Sequence, residues 1–387
     1  MPSTPAHPER ILVVGNGFLG DTVLGIPFFR NLRRRFPDAV IDVLLEPAAA
    51  AVLAHCPYHD EILSWPRPPR SQRLLPTALS TLVGQAAWLR SRGYTRAYLF
   101  KRSFSSALLV RLAGIPWRVG HAAEGRGWLL SRAVGIRRGR HQVEVFLDLL
   151  RVDGIEIDDG HNENWVAEAD RAAIAALLAE VPAGRPKVFV AVRSTNAGKH
   201  WPLDRWAAVV EWLVTARNGE IFFCGGPADV AMHAEIVERL DPAVARHVHD
   251  HSASVRLRQV GALLAAMDLC VGIDSGLPHL AASYGVPVVA LFGPTDPAQW
   301  HPWKTAGVTV QAPRGGRSMA DIGVEEVIAA ASRLLGTRAL PGKPRAWHSM
   351  EARSASEGVV AGDGSAILAA LRSRSYGSHP AAAVPAR

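Results

Sequence analysis

Asp274, Ser275, Gly276 and His279 stand close together in the run VGIDSGLPHLAASYGVPVVALFGPTDP, Val271 to Pro297, and their order suits the holding of a diphosphate. Leu269 to Ile273 is a short apolar run that predicts a strand, and Ser275 behind it is a good N-cap for a helix. Leu277, Leu280, Ala281 and Tyr284 then fall on one helical face, Pro278 sits in the first turn where its missing N–H is tolerated, and Gly285 ends the helix. Free backbone N–H groups at such a helix start attract phosphate, and Gly276 allows close approach. The same pattern also serves an ordinary capped helix between two buried strands. His279, one turn in, can donate to a phosphate or neutralise it, and equally can be a structural residue.

The second chemical feature is Asp21. It follows VVGNGFLG, in which Gly15, Gly17 and Gly20 have the spacing of a dinucleotide fingerprint between a strand and a helix. In that reading the pyrophosphate rests on the turn and an acid at the end of the next strand holds the ribose. Glu46 stands there, 26 residues beyond Gly20 and later than the usual spacing. A carboxylate at the helix start repels a pyrophosphate, yet it suits a general base at a cleft edge, favoured by the helix dipole. A plain helix-dipole residue is the third reading, and local spacing leaves the three open.

These turns need a scaffold of alternating strands and helices. Strands are predicted at Ile11 to Val14, Ile41 to Leu45 and Ala97 to Phe100, with one helix from Thr22 to Arg35 and another over His141 to Arg151. A second unit opens at Val188 to Val192 and continues at Ile221 to Cys224, Leu269 to Ile273 and Val288 to Phe292, each ending in a glycine or polar turn. The alternation predicts an α/β chain of doubly wound parallel sheets. The expected division is 1–160, 161–186 as a connection, 187–339, and a disordered tail over 340–387 with one short helix near Ala366 to Arg372.

Composition narrows the function classes. At 387 residues, 48% hydrophobic and 20% charged, the chain is long enough for two globular domains. No apolar run approaches the roughly 20 residues that span a bilayer, and MPSTPAHPER lacks an apolar signal core, so a cytoplasmic location is expected. Cys56, Cys224 and Cys270 are too few and scattered for a disulfide framework or zinc site, and are expected to pack in the core. A formal charge of +8 favours acidic partners such as phosphorylated sugars, anionic lipid surfaces or nucleic acid. The basic runs Arg30 to Arg35, Lys101–Arg102 and Arg132 to Arg140 lack the interleaved aromatics of a single-strand binder, and a solvated face is their default reading, so no nucleic-acid partner is expected.

Taken in order, the motifs resemble glycosyltransferase family 9, the ADP-heptose:lipopolysaccharide heptosyltransferases, over roughly Ile11 to Ala331. They are the turn ending Gly20-Asp21 with Pro27 and the basic helix behind it; SALLVRLAGIPWRVG, Ser106 to Gly120; His141 ahead of VEVFLDLL; KHWPLDRW, Lys199 to Trp206; Gly225-Gly226-Pro227; and the Asp274 to His279 pattern followed by FGPTDP. The resemblance implies a GT-B fold, two Rossmann-like doubly wound domains facing a cleft, with acceptor on the first and donor on the second. It implies metal-independent transfer with inversion and no cofactor, the donor being a nucleotide sugar such as ADP-heptose.

By the same resemblance Asp21 is the catalytic base. Lys199 contacts donor phosphate, with Ser194 and Thr195 of its polar loop, Gly225, Asp274, Ser275, Gly276 and His279 also on the donor side. Asp274 is assigned to organising the turn, since a carboxylate cannot stabilise phosphate. Gly20, Lys101 and Arg102 fall on the acceptor side. Here the chain departs from the family: Gly15-Asn16-Gly17-Phe18-Leu19 replaces an arginine and a serine, and AYLFKRSFSS lacks the customary acid. Lys101 and Arg102 suit anionic groups on an acceptor, with exposed, partnerless side chains as their default reading. The acceptor expected is a lipopolysaccharide core or related glycan, reached at the cytoplasmic face of the inner membrane with peripheral contact to anionic lipid. The alternatives are an NAD(P)-dependent oxidoreductase using Gly15, Gly17 and Gly20, a relative acting on a natural product or surface polymer, and a non-catalytic glycan- or nucleotide-binding relative. Oligomeric state is open, with no extended heptad pattern.

Overall fold

A computed structural model describes residues 8–64, 75–137, 139–252, 254–313 and 318–336. The expected tail 340–387 and its short helix lie outside them.

The first half runs β1 (Arg10–Val14), α1 (Leu19–Leu24), α2 (Ile26–Arg35), β2 (Val40–Leu45), α3 (Pro47–Leu53), β3 (Glu61–Ser64), α4 (Leu75–Ser91), β4 (Arg96–Leu99), α5 (Phe104–Leu112), β5 (Trp117–His121), β6 (Arg132–Val134) and α6 (Gln142–Arg151). The second half runs α7 (Glu168–Leu178), β7 (Lys187–Ala191), α8 (Leu203–Thr215), β8 (Glu220–Phe223), α9 (Val230–Val237), α10 (Pro242–Ala245), β9 (Val248–Asp250), α11 (Leu257–Ala265), β10 (Leu269–Ile273), α12 (Gly276–Ser283), β11 (Val288–Phe292), α13 (Pro297–Trp300), β12 (Gly307–Gln311) and α14 (Val324–Gly336). The stretch 161–186 thus contains α7, which packs on α11.

The strands form two six-stranded sheets, ordered β3-β2-β1-β4-β5-β6 and β12-β11-β10-β7-β8-β9, with neighbouring strands parallel. Central strands such as LCVGI and VVALF are buried along their whole length, because helices cover both faces of a parallel sheet. Both orders are doubly wound, and each reverses direction once, between β1 and β4 and between β7 and β10. Ligands of such sheets bind at the carboxyl ends of the strands flanking the reversal. The segments there carry Asp21, in the first turn of α1, and Arg102 in one sheet, and Lys199 and Asp274 in the other.

The helix expected over Thr22 to Arg35 is broken. α1 ends at Leu24 and α2 restarts at Ile26, with Gly25 between them. Pro27 has no N–H to continue the ladder, and its ring conflicts with the preceding turn. Gly25 is needed there, since a Cβ would lie 2.6 Å from Phe100, which stacks on Phe146 at 4.1 Å in the core. The basic run is not simply a solvated face. Arg30 and Asn31 are buried, Arg30 pairing with Asp159 at 2.9 Å and with Glu163, and Asn31 bonding Asp159 O at 2.7 Å, so the helix anchors the chain as it leaves the first sheet.

The halves meet where α1 packs against α12. A Cβ on Gly276 would stand 2.7 Å from Leu19 Cδ2 and 3.2 Å from the Gly20 nitrogen, and one on Gly20 would stand 3.1 Å from His279 Cδ2. Two glycines therefore set how closely the turns approach. Gly276→Ala should cost about 1–3 kcal/mol in urea unfolding, and Leu19→Ala in the same chain should recover part of it. An unchanged midpoint in the single variant would show that this contact yields freely.

Candidate functional site

The second sheet supplies an anion-directed surface. Trp201 and Trp206 are fully buried and meet edge to face at 4.9 Å, and Trp201 Nε1 donates to Ile322 O at 3.1 Å. This anchor fixes the loop between β7 and α8. Within it His200 Nε2 lies 2.8 Å from Ser194 O, Ser194 Oγ accepts from Asn196 N at 3.2 Å, and Thr195 is exposed. Lys199 Nζ donates to Asp274 Oδ2 at 2.7 Å and to Asp274 O at 3.3 Å. Thr295 of the FGPTDP turn donates to the same Oδ2 at 2.7 Å, and His279 Nε2 stands 3.6 Å from Oδ1. Burial alone would raise the Asp274 carboxyl, but the hydrogen bonds and charges of His279 and Lys199 outweigh it and hold it at about 2. Asp274 is thus ionised and tied to three neighbours, while Lys199 keeps one of its three N–H donors for another oxygen.

Ser275 occupies the N-cap position of α12 in an extended conformation, but its side chain makes no capping hydrogen bond. Its Oγ is buried without a hydrogen-bond partner, as is His279 Nδ1. The expected side-chain cap is absent, so the first N–H groups of α12 are not closed by Ser275. Gly225 follows β8 beside a turn filled by Asp229, whose Oδ2 accepts from Gly226 N at 2.8 Å.

The first sheet brings Asp21 to this surface. Burial raises its carboxyl above the ordinary value; Asn16, bonded to it, and the charges of His279 and Arg102 pull the other way, and Asp274 adds to the rise. Lys101 and Arg102 are half-buried and engaged, unlike the default reading. Lys101 Nζ is 4.0 Å from Glu46 Oε1, while Arg102 shares charge with Asp21 and donates to Gln142 Oε1 at 3.3 Å. Their partners come from the turn after β2, from α1 and from α6, which local sequence around residue 101 does not show. The Glu46 carboxylate lies against Gly17, where a Cβ would meet it at 2.3 Å. A pyrophosphate on this turn would face that carboxylate and the packed α12.

Several site neighbours lack a sequence signal of their own. Gln142 Oε1 also accepts from Gln299 at 3.3 Å, which links α6 to the segment behind FGPTDP. His141 caps α6 through Nδ1, sets Nε2 2.8 Å from His301 O, and stacks on Trp303 at 4.3 Å. Its position before VEVFLDLL singled it out, but its partners 160 residues away did not. The three cysteines are buried, which pushes the Cys56 and Cys224 thiols up to about 12. Among the described residues no cluster of three His, Cys, Asp or Glu side chains is arranged around a metal position, and no helix is long and apolar enough to cross a membrane.

Two doubly wound six-stranded parallel sheets whose reversal points face each other are the architecture of the GT-B class of glycosyltransferases. The sequence profile of Glycosyltransferase family 9 (heptosyltransferase) matches residues 85–320, more than half the chain, and the chain belongs to this family. It is 28% identical over 298 residues to lipopolysaccharide heptosyltransferase 2 of Escherichia coli K12, covering 74% of this chain and 84% of the relative. The solved E. coli ADP-heptose lps heptosyltransferase II superposes with TM-score 0.72 at 25% identity, over 84% of this chain and 98% of that one. A glycosyl transferase family 9 structure from Veillonella parvula DSM 2008 shares the fold, with TM-score 0.74, 21% identity and 84% and 97% coverage.

The contact at His141 carries a pH signature. Burial drives the imidazole from 6.5 down to about 3, so the folded chain holds it neutral while the unfolded chain takes up a proton near 6.5. Its contribution to stability is complete above pH 6.5 and is lost as pH falls toward 3. His141→Phe, which retains an aromatic ring against Trp303, should lose hydrogen bonds at pH 7 but reduce the loss of stability between pH 7 and 5 by about 2 kcal/mol. Equal slopes in both proteins would remove His141 from the acid response.

Proposed function

We propose that this protein is an inverting, metal-independent glycosyltransferase that moves a heptose from ADP-heptose to a lipopolysaccharide core or related bacterial glycan. The carrying observation is the half-buried Asp21 carboxyl, desolvated by its surroundings and set beside His279 and Arg102 and opposite the Lys199–Asp274 pair. Membership of family 9, whose E. coli member is named for ADP-heptose, supports the donor and favours transfer over the dinucleotide reading of the first turn.

In the reaction an acceptor hydroxyl attacks the anomeric carbon as its proton passes to Asp21, and the bond from that carbon to the diphosphate oxygen breaks. A carboxyl raised by burial is better matched to such a proton transfer than one at its ordinary value. The negative charge growing on the leaving diphosphate is met by Lys199, by Ser275, Gly276 and the N–H groups opening α12, and by His279. Ser194, Thr195 and Gly225, at the carboxyl ends of β7 and β8, complete the donor side. Asp274 holds Lys199 and the turn in place. Gly20 and Arg102 border the acceptor, with Lys101 further out against Glu46. In this scheme 1–160 is the acceptor domain, 187–339 the donor domain and 161–186 their connection, and the enzyme works at the cytoplasmic face of the inner membrane in peripheral contact with anionic lipid.

Calorimetry with ADP, UDP, GDP and NAD should show ADP as the tightest ligand; preference for NAD would overturn the reading, and preference for UDP or GDP would change the donor. Asp21→Asn should lower kcat by about 10³ with ADP binding nearly unchanged. Since burial penalises the ionised carboxylate, the same variant should be more stable than the parent at pH 8, with the difference shrinking toward pH 4. Lys199→Ala should weaken ADP about tenfold, or about 1.4 kcal/mol, and normal kinetics would exclude it from the site.

A further inference from the structure

Three exposed aromatic side chains stand along the carboxyl edge of the first sheet: Phe18 at 60% exposure, Phe104 at 38% and Trp128 at 73%. Phe18 follows β1 and precedes Asp21, Phe104 follows β4, and Trp128 follows β5; β1, β4 and β5 are adjacent in the sheet in that order. With neighbouring strands about 4.8 Å apart, the strand ends that carry these three loops span roughly 10 Å, the length of a short oligosaccharide.

The outer pair is held rather than trailing in solvent. The rings of Phe104 and Trp128 lie 6.3 Å apart. Between β5 and Trp128 the chain turns through Glu124 and Gly125, both in the left-handed region at φ 48° and 67°. Glu124 accepts from Phe104 N at 2.9 Å, at the start of α5. Arg126, fully buried, donates to Lys101 O at 2.6 Å, Ser103 O at 2.9 Å, Ser106 Oγ at 2.9 Å and His121 O at 3.0 Å. A guanidinium sunk among neutral oxygens and a non-glycine residue in a costly conformation persist only when the surroundings over-determine the loop. This loop and the one carrying Arg102 are therefore a single rigid piece, and it displays two large aromatic faces outside the core.

We propose that Phe18, Phe104 and Trp128 form a stacking track for the sugar rings of the acceptor glycan, running from the base outward; this rests on the transferase reading above. Aromatic faces offer flat, rigid contact area to the C–H faces of sugar rings at little entropic cost, and the indole adds a hydrogen-bond donor for a hydroxyl. The track favours a glycan over a lipid surface because the cations of its own loops are engaged: Arg126 is buried among backbone oxygens, Lys101 pairs with Glu46, and Arg102 faces Asp21 and Gln142. It also gives a purpose to Phe18, which stands where the family pattern has polar residues.

The test uses a lipid-free, heptose-terminated core oligosaccharide as acceptor, with the parent, Trp128→Ala and Trp128→Phe. Trp128→Ala should raise acceptor KM and the calorimetric Kd for the oligosaccharide about five- to tenfold, leaving kcat, donor KM and thermal midpoint nearly unchanged, and Trp128→Phe should restore most of the loss. Equal oligosaccharide affinity in parent and Trp128→Ala would overturn the track. So would a loss confined to binding of phosphatidylglycerol vesicles, which would make this edge a lipid contact. Failure of the underlying reading registers separately, as absence of transfer from ADP-heptose to any acceptor by the parent protein.

Discussion

The close approach of α1 and α12 is the constraint from which the site follows. Each helix starts at a turn that lacks a Cβ at the point of contact, Gly20 on one side and Gly276 on the other, and Leu19 fills the space between. A methyl on Gly276 would meet Leu19 and the Gly20 backbone, so the separation of the two sheets is set at a glycine contact. That separation puts Asp21 within the electrostatic reach of His279 and Asp274. The third glycine of the amino-terminal fingerprint is there for a neighbouring helix, which accounts for its spacing without a dinucleotide.

Within this contact two carboxylates are driven in opposite directions. Both are desolvated, which by itself raises both. Asp274 escapes because Lys199, Thr295 and His279 converge on it, and it remains an anion that organises the turn. Asp21 has Asn16 as its hydrogen-bonding neighbour and sees the charges of His279 and Arg102 without the same close contacts, so burial prevails. Two acids pushed apart by their surroundings can take different roles, one structural and one in proton transfer. Holding a carboxyl group in a poorly solvated place costs stability whenever it is ionised.

Contacts at the back of the cleft keep the two sheets in register. Arg30 fastens the departing chain through Asp159 and Glu163, His141 seats α6 on the segment 301–303, and Trp303 donates to Gly160 O at 2.6 Å. Gln142 lies between Arg102 and Gln299, so the cation beside Asp21 is connected to the turn behind Thr295. Arg30, His141 and Gln142 are buried and bonded to partners from distant parts of the chain, as buried polar groups must be.

The amino-acid sequence by itself determined the local elements and their class. Apolar runs such as Leu269 to Ile273 could only be buried strands, glycine and proline marked their ends, and the ordered motifs identified the family. It misread the amino-terminal helix, where Pro27 outweighs an otherwise continuous pattern, and it left Arg30, Lys101 and Arg102 as solvated charges because their partners, Glu163, Glu46 and Gln142, lie far along the chain. It could not choose among three roles for Asp21, since that depends on burial and on which charges face it. Only the tertiary structure decided the break in the helix and the partners of these charges. Periodicity reports which side of an element is apolar, but the meeting of Gly20 with Gly276, more than two hundred residues apart, results from the packing of one sheet's helices on the other's.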